Sequence, residues 1–185
     1  ESSGLMGFSL AMAAYKAGAE VTIIAGPTNL NYPNFLNVIN VTSAHDMLEG
    51  VKSHINNADL FIATAAVSDY SAAQFEAKKI KKHDANLTLS LRKNPDVLAH
   101  VGLNKLCPFI VGFAAETHDV ADNAKMKLES KALDLIVANQ VGIENNGFNS
   151  DINKVTVYER GGNEIQFEKI PKLELAVKLI KLIVE

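Results

Sequence analysis

Residues 108–140 read PFIVGFAAETHDVADNAKMKLESKALDLIVANQ. The outer runs, PFIVGFAAE and LDLIVANQ, are apolar without alternation, as strands buried on both faces are. Between them HDVADNAKMKLESK has the apolar spacing of a helix. Strand, helix, strand is the repeating unit of a parallel sheet.

The same alternation extends in both directions. Upstream, AEVTIIAGP (19–27) and DLFIATAAV (59–67) read as two more buried strands, each preceded or followed by helical spacing. Met6, Leu10, Ala13, Ala14 and Ala17 fall on one helical face, with Gly18 ending that helix. TSAHDMLEGV (42–51) predicts a helix capped by Thr42 or Ser43. LTLSL (87–91) alternates and predicts a half-exposed strand. NPDVLAHV (94–101) predicts a helix with Asn94 as cap and Pro95 at its first position. KVTVYER and NEIQFE, divided by Gly161-Gly162, predict a hairpin, and residues 170–185 a closing amphipathic helix. The expected fold class is therefore α/β: a Rossmann-like, mostly parallel sheet with helices on both faces and an antiparallel hairpin at one edge. No linker or repeat divides residues 1–185, so one domain is expected.

Composition narrows the function classes. The chain is 48% hydrophobic and 21% charged, with a formal net charge of −3, which argues against a general nucleic-acid surface. Cys107 is the only cysteine, so neither a disulfide framework nor a cysteine metal site is expected, and its apolar context predicts a buried, inert thiol. No signal peptide and no membrane-length apolar run is seen, which makes a soluble, cytoplasmic protein the expectation. The histidines form no H-x-H or H-E-x-x-H pattern, and no G-x-S-x-G or G-x-x-x-x-G-K-[ST] motif occurs. A nicotinamide oxidoreductase lacks two of its marks: the second strand ends in Ala25-Gly26-Pro27 rather than an acid, and no tyrosine is followed by lysine four residues on.

Ligands of doubly wound sheets bind outside the carboxyl ends of the strands, so candidate residues are sought there. Ser2, Ser3 and Gly4 precede a helix whose free N–H groups suit a phosphate; plain helix capping accounts for them equally well. Ala63, Thr64, Ala65 and Ala66 end a strand in small side chains, a place where a flat ring or sugar can approach the backbone, and Asp69 offers oxygens to ribose hydroxyls. Tight helix packing and a local turn explain the same residues. The run Lys78-Lys79-Ile80-Lys81-Lys82 reads first as a solvated face, and second as a cationic flap after Asp69. Lys127 and Lys131 share a helix face from which Glu129 is absent, so it is no obvious partner for either; they read as ordinary surface lysines, or, if this face turns toward the strand ends, as a pair whose repulsion an anion such as a triphosphate relieves. Phe113 either stacks on a base or belongs to the core.

In order and spacing, SSGLMG, AGP, ATAAVSDY, KKIKK, KNPDVL, VGFAAET, LDLIVAN and GFNSDINKV together resemble the phosphopantothenoylcysteine synthetase family, over nearly the whole chain. The resemblance implies a ligase of coenzyme A biosynthesis. It would activate 4′-phosphopantothenate with CTP as an acyl-cytidylate, releasing pyrophosphate, and pass the acyl group to L-cysteine with loss of CMP. Mg2+ would accompany the triphosphate, with no protein-only metal cluster required. Carried onto this sequence, Ala63, Thr64, Ala65 and Asp69 would hold the cytidine. Lys79 would contact the phosphates and serve as the catalytic cation. Pro95, Asp96, Val97 and Leu98 would line the nucleotide, Phe113 would meet the base, and Lys127 and Lys131 would reach the nucleotide, whose charge would supply their missing anion. Ser2, Ser3 and Gly4 would receive a phosphate.

Two departures qualify the match. Leu5 stands where the family loop has lysine. The family pattern also includes an upstream strand, a Gly-rich turn and a loop whose asparagine serves the second half-reaction, none of which is in these 185 residues. The resemblance further implies a homodimer, with LTLSL or the late hairpin at the contact, and an upstream FMN-dependent decarboxylase domain in many members. A nicotinamide-binding oxidoreductase and a non-catalytic nucleotide-binding or dimerisation module are the alternatives to be weighed.

Overall fold

The computed structural model describes residues 2–74, 78, 88–140 and 152–184. The 108–140 segment forms the strand–helix–strand unit read above: β6 (Phe109–Glu116), α4 (Val120–Ser130) and β7 (Leu135–Gln140), with β6 and β7 parallel. The remaining elements are α1 (Leu5–Lys16), β1 (Thr22–Ala25), β2 (Asn37–Asn40), α2 (Ala44–His54), β3 (Leu60–Ala63), β4 (Tyr70–Ala72), β5 (Leu91–Lys93), α3 (Val97–Leu103), β8 (Ile152–Glu159), β9 (Glu164–Pro171) and α5 (Lys172–Val184). A 3-10 turn at Ile55–Asn57 follows α2.

The main sheet has the order β3-β6-β7-β8-β9. Its first three strands are parallel, and the β8–β9 hairpin continues it antiparallel, as expected. The parallel pair β1–β2 and the antiparallel pair β4–β5 form separate small sheets among the described residues.

Alternation along the strands builds two cores. Ile110, Ala114, Ile136 and Ala138 face α2, α3 and α4. Val111, Leu135, Val137, Val155 and Val157 face α1 and α5, through Leu10, Ala13, Leu175, Leu179 and Ile180. Each fully buried aliphatic side chain contributes roughly 1.5–3 kcal/mol relative to exposure, so these two layers fix which faces the helices cover. Cys107 lies in the first core, where desolvation pushes its thiol above the usual range, in agreement with an inert role.

Local chemistry sets the element ends. Ser43 and Asp46 form a reciprocal capping box at α2, selecting Ser43 over Thr42. Gly18, at φ 93°, follows α1 and ends it in the left-handed conformation that glycine adopts without a Cβ clash. After α4 the left-handed residue is Ala132; Leu128 O and Glu129 O of the last turn accept from Leu133 N and Ala132 N, and Arg160 binds the turn that follows, Nε donating to Leu133 O (2.8 Å) and Nη2 to Ala132 O (2.6 Å).

Two expectations are corrected. The cap of α3 is Asp96, whose Oδ1 accepts from Ala99 N at 2.9 Å; Asn94 instead donates its side-chain amide to Ser68 O. The strand expected over LTLSL begins only at Leu91, since pairing with β4 runs from Tyr70↔Lys93 to Ala72↔Leu91. Among the described residues no helix is long and apolar enough to cross a membrane.

Candidate functional site

At the carboxyl edge of the sheet the strands end unevenly. β3 stops at Ala63, paired with Gly112, whereas β6 continues through Glu116 beside β7. Beyond Gly112, β6 therefore has no β3 partner, and this unpaired strand edge next to Thr64 is called the notch below.

On the α1 side, the first helical turn closes against this notch. A Cβ on Gly7 would lie 2.6 Å from Thr64 Oγ1, so only glycine lets the helix come this close. Gly4 caps α1 at φ 73°, and a Cβ there would meet Thr28 Cγ2 at 2.8 Å. Ser2 and Ser3 accept from Gly4 N and Leu5 N through long contacts of 3.5 and 3.4 Å, leaving those N–H groups weakly engaged. Phe113 lies on this side and is half-buried against the α1–α5 core.

Asp69 and the α3 start are joined by Asn94. Its backbone N–H donates to Asp69 O (2.8 Å) and its amide to Ser68 O (2.8 Å). The Asp69 side chain is exposed, as is Ala65, while Ala63 and Thr64 are half-buried. Pro95 is half-buried. Val97 faces the core, and Leu98 packs over Gly112, where a Cβ would meet its Cδ2 at 2.9 Å. Val97 is thus buried, whereas the Leu98 side chain remains half-buried.

The lysine pair is where the structure most revises the sequence reading. Both ammonium groups have protein counter-anions. Lys127 Nζ lies 2.5 Å from Glu116 Oε1, the last residue of β6. Lys131 Nζ lies 2.8 Å from Asp96 Oδ2. Lys131 is the residue just past α4 rather than part of it, and its side chain reaches back to the α3 cap. The missing partners come from other elements, not from α4 itself. Burial pushes the Asp96 carboxyl up, but the Lys131 hydrogen bond, the Ala99 N–H and the charges of Lys131 and Lys93 outweigh it and hold it below the ordinary carboxylate value.

Two residues absent from the sequence reading belong here. Glu116 is one. The other is Asn139, paired with Ala115 near the end of β7, whose Oδ1 is solvent-excluded and lacks a hydrogen-bond partner among the described residues. A buried acceptor without a donor costs about 1–3 kcal/mol, which makes Asn139 a candidate to receive a ligand N–H or O–H. A polar amide inside the apolar run LIVANQ was the available signal. Lys79, Lys81 and Lys82 lie outside the described residues; Lys78 is exposed.

The site residues thus fall into linked groups: Gly7 with Thr64, Ser68–Asp69 with Asn94, Asp96 with Lys131, and Glu116 with Lys127. The carboxyl edge of the sheet can hold an anion at helix and lysine donors and a flat group in the notch. Among the described residues no group of three or more His, Cys, Asp or Glu could hold a metal ion. Asp96 and Glu116 are each taken by a lysine.

Residues 1–185 match the family described as DNA/pantothenate metabolism flavoprotein C-terminal domain. Curated relatives called coenzyme A biosynthesis bifunctional protein CoaBC include one from Vibrio vulnificus, 44% identical over 98% of this chain and 46% of its own length. Another from Haemophilus influenzae is 45% identical over 100% and 46%, and one from Bacillus subtilis 40% over 98% and 45%. The chain therefore spans about half the length of these relatives. A crystal structure of the C-terminal domain of a CoaBC protein superposes with a TM-score of 0.82 at 36% identity, covering 98% of this chain and 82% of that one. The DNA/pantothenate metabolism flavoprotein from Streptococcus pneumoniae shares the fold, with a TM-score of 0.78 at 23% identity.

Proposed function

This chain is a member of the DNA/pantothenate metabolism flavoprotein C-terminal domain family, and from that premise we propose that it is a phosphopantothenoylcysteine synthetase acting in coenzyme A biosynthesis. The carboxylate of 4′-phosphopantothenate attacks the α-phosphorus of CTP and expels pyrophosphate. The amine of L-cysteine then attacks the acyl carbon of the acyl-cytidylate, and CMP leaves. The observation that carries this reading is the family match over residues 1–185, together with relatives named for coenzyme A biosynthesis; Lys127 and Lys131 stand at the carboxyl end of the sheet, paired with Glu116 and Asp96.

In this reading Lys127 and Lys131 meet the nucleotide phosphates, and the weakly engaged N–H groups after Ser2 and Ser3 receive a phosphate group. The notch beside Thr64 and Phe113 takes the base and ribose, with Asp69 on the hydroxyls and Asn139 Oδ1 accepting from the nucleoside. Lys79 supplies positive charge where the phosphoryl group transfers. Mg2+ enters with the triphosphate, on phosphate and water oxygens. Exposed Tyr70, Leu89 and Leu91, on or beside β4 and β5, support a homodimer contact there. The bifunctional name of the relatives supports a fused decarboxylase domain, and the proposed setting is the cytoplasm.

The test is direct. Native full-length protein is mixed with CTP, Mg2+ and 4′-phosphopantothenate, and mass spectrometry follows the acyl-cytidylate and pyrophosphate; L-cysteine then converts the intermediate to product. Absence of both species overturns the assignment. Thermal stabilisation by NADPH but not CTP would favour the oxidoreductase reading instead. Tight CTP binding with no product would favour a non-catalytic module. Unchanged turnover in Lys79→Ala would remove that residue from the site.

A further inference from the structure

The two lysines at the strand ends are held unequally. Lys127 pairs with Glu116, whose side chain is 16% exposed. Among the described residues, Glu116 meets, besides Lys127, Asn123 Nδ2 at a long 3.4 Å, and that amide also donates to His118 O at 3.1 Å. Lys131 pairs with Asp96, which is 44% exposed and separately engaged as the cap of α3.

This asymmetry decides what a polyanionic ligand can take from each pair. Drawing Lys127 away would leave Glu116 a largely buried carboxylate with one weak hydrogen bond among the described residues, and stranding a buried charge is strongly unfavourable. An ammonium carries three N–H donors, so Lys127 can keep Glu116 and give its other donors to a ligand. Asp96 is different. Water and the Ala99 N–H satisfy the half-exposed Asp96 carboxylate when Lys131 departs, so breaking this pair strands no buried charge.

We propose that Glu116 is a positioning residue for the nucleotide: it holds the Lys127 ammonium at the carboxyl end of β6 and stays paired with it in the complex, whereas Lys131 leaves Asp96 to meet the phosphates. The proposal rests on the nucleotide-dependent reading above. It assigns the two carboxylates opposite effects, since Glu116 aids binding and Asp96 competes with the ligand for its lysine.

The test uses the native full-length protein and two isosteric variants, Glu116→Gln and Asp96→Asn; asparagine caps a helix about as well as aspartate. Titration calorimetry gives the CTP Kd, and steady-state kinetics give KM and kcat. Glu116→Gln is expected to raise Kd and KM by about three- to tenfold with kcat within about twofold, the size of a partly buried ion pair. Asp96→Asn is expected to lower Kd by about two- to threefold. In a Lys127→Ala background, Glu116→Gln should add no further loss, a result that a merely structural role for Glu116 would not give. An unchanged or tightened Kd in Glu116→Gln, a full additive loss in the double variant, or equal weakening by both single variants overturns the proposal. Wild-type binding of ATP in place of CTP would sink the CTP assignment alone, with the same comparison then made on ATP. Wild-type protein that binds neither nucleotide overturns both.

Discussion

Lys131 Nζ lies 2.8 Å from Asp96 Oδ2, so the turn that ends α4 is tied to the residue that caps α3. The pairing and the cap hold the Asp96 carboxyl below its ordinary value of 3.8 despite the opposing effect of burial. A folded-state value below the unfolded one gives stability that is present above about 3.8 and is lost as pH falls through the folded value. The predicted loss on acidification is about 1 kcal/mol or less, because the Asp96 side chain is 44% exposed and solvent screens the pair. Urea melts of wild type and Asp96→Asn at about pH 7 and about pH 3 check this. The stability gap between them should close at the lower pH, and a gap that persists would contradict the shift.

Gly102 sets how closely α3 approaches the end of α4. A Cβ there would lie 1.9 Å from Lys131 O and 3.1 Å from Lys131 C, both backbone atoms that cannot swing aside. Alanine would gain roughly 1 kcal/mol of helix propensity, yet displacing α3 should cost about 3 kcal/mol. Gly102→Ala is therefore predicted to be clearly destabilising in equilibrium unfolding. Gly161→Ala is the control: nothing lies within 4 Å of its added Cβ, and a change within about 0.5 kcal/mol is expected.

Which features were legible in the sequence follows from the range over which each is encoded. PFIVGFAAE and LDLIVANQ announce buried strands because every residue must tolerate burial, a local property. β2, read as NVIN, is too short and too polar at its ends to stand out, and it exists because parallel pairing with β1 supplies its hydrogen bonds. The cap of α3 illustrates competition: Asn94 suits the role, but Ser68 O claims its amide, and the helix starts later at Asp96. The lysine partners fail for the same reason. Spacing along α4 could only test Glu129, whereas the anions sit on β6 and before α3, brought near by the fold. Asn139 is visible as a residue but not as an orphaned acceptor, since that depends on everything packed around it.

Gly7 and Thr64 form the second close approach, at the site itself. The 2.6 Å separation between a Gly7 Cβ and Thr64 Oγ1 would force the threonine side chain to move. Gly7→Ala is predicted to weaken CTP binding several-fold, while helix propensity offsets part of an overpacking cost of about 1–3 kcal/mol. Replacing Thr64 as well removes the clash. The double variant Gly7→Ala/Thr64→Ala should recover most of the lost stability, though not the contacts made by the hydroxyl. Calorimetric melts and CTP titrations of the single and double variants give the coupling. Strict additivity would show that the two residues do not restrain each other.

Asn139 offers the cleanest separation of binding from stability. Its Oδ1 is solvent-excluded and has no partner among the described residues, so truncating it breaks no hydrogen bond found there. Asn139→Ala should change stability by less than about 1 kcal/mol, because relief of an unsatisfied acceptor offsets the packing lost with a short side chain. Ligand binding should respond differently. If a donor of the nucleotide fills that acceptor, its loss weakens CTP binding by about 1–2 kcal/mol, or roughly 5- to 30-fold in Kd. Thermal melts without ligand and CTP titration of the same preparation measure both quantities. A variant with wild-type Kd and lowered melting temperature would make Asn139 a packing residue whose oxygen is satisfied within the fold.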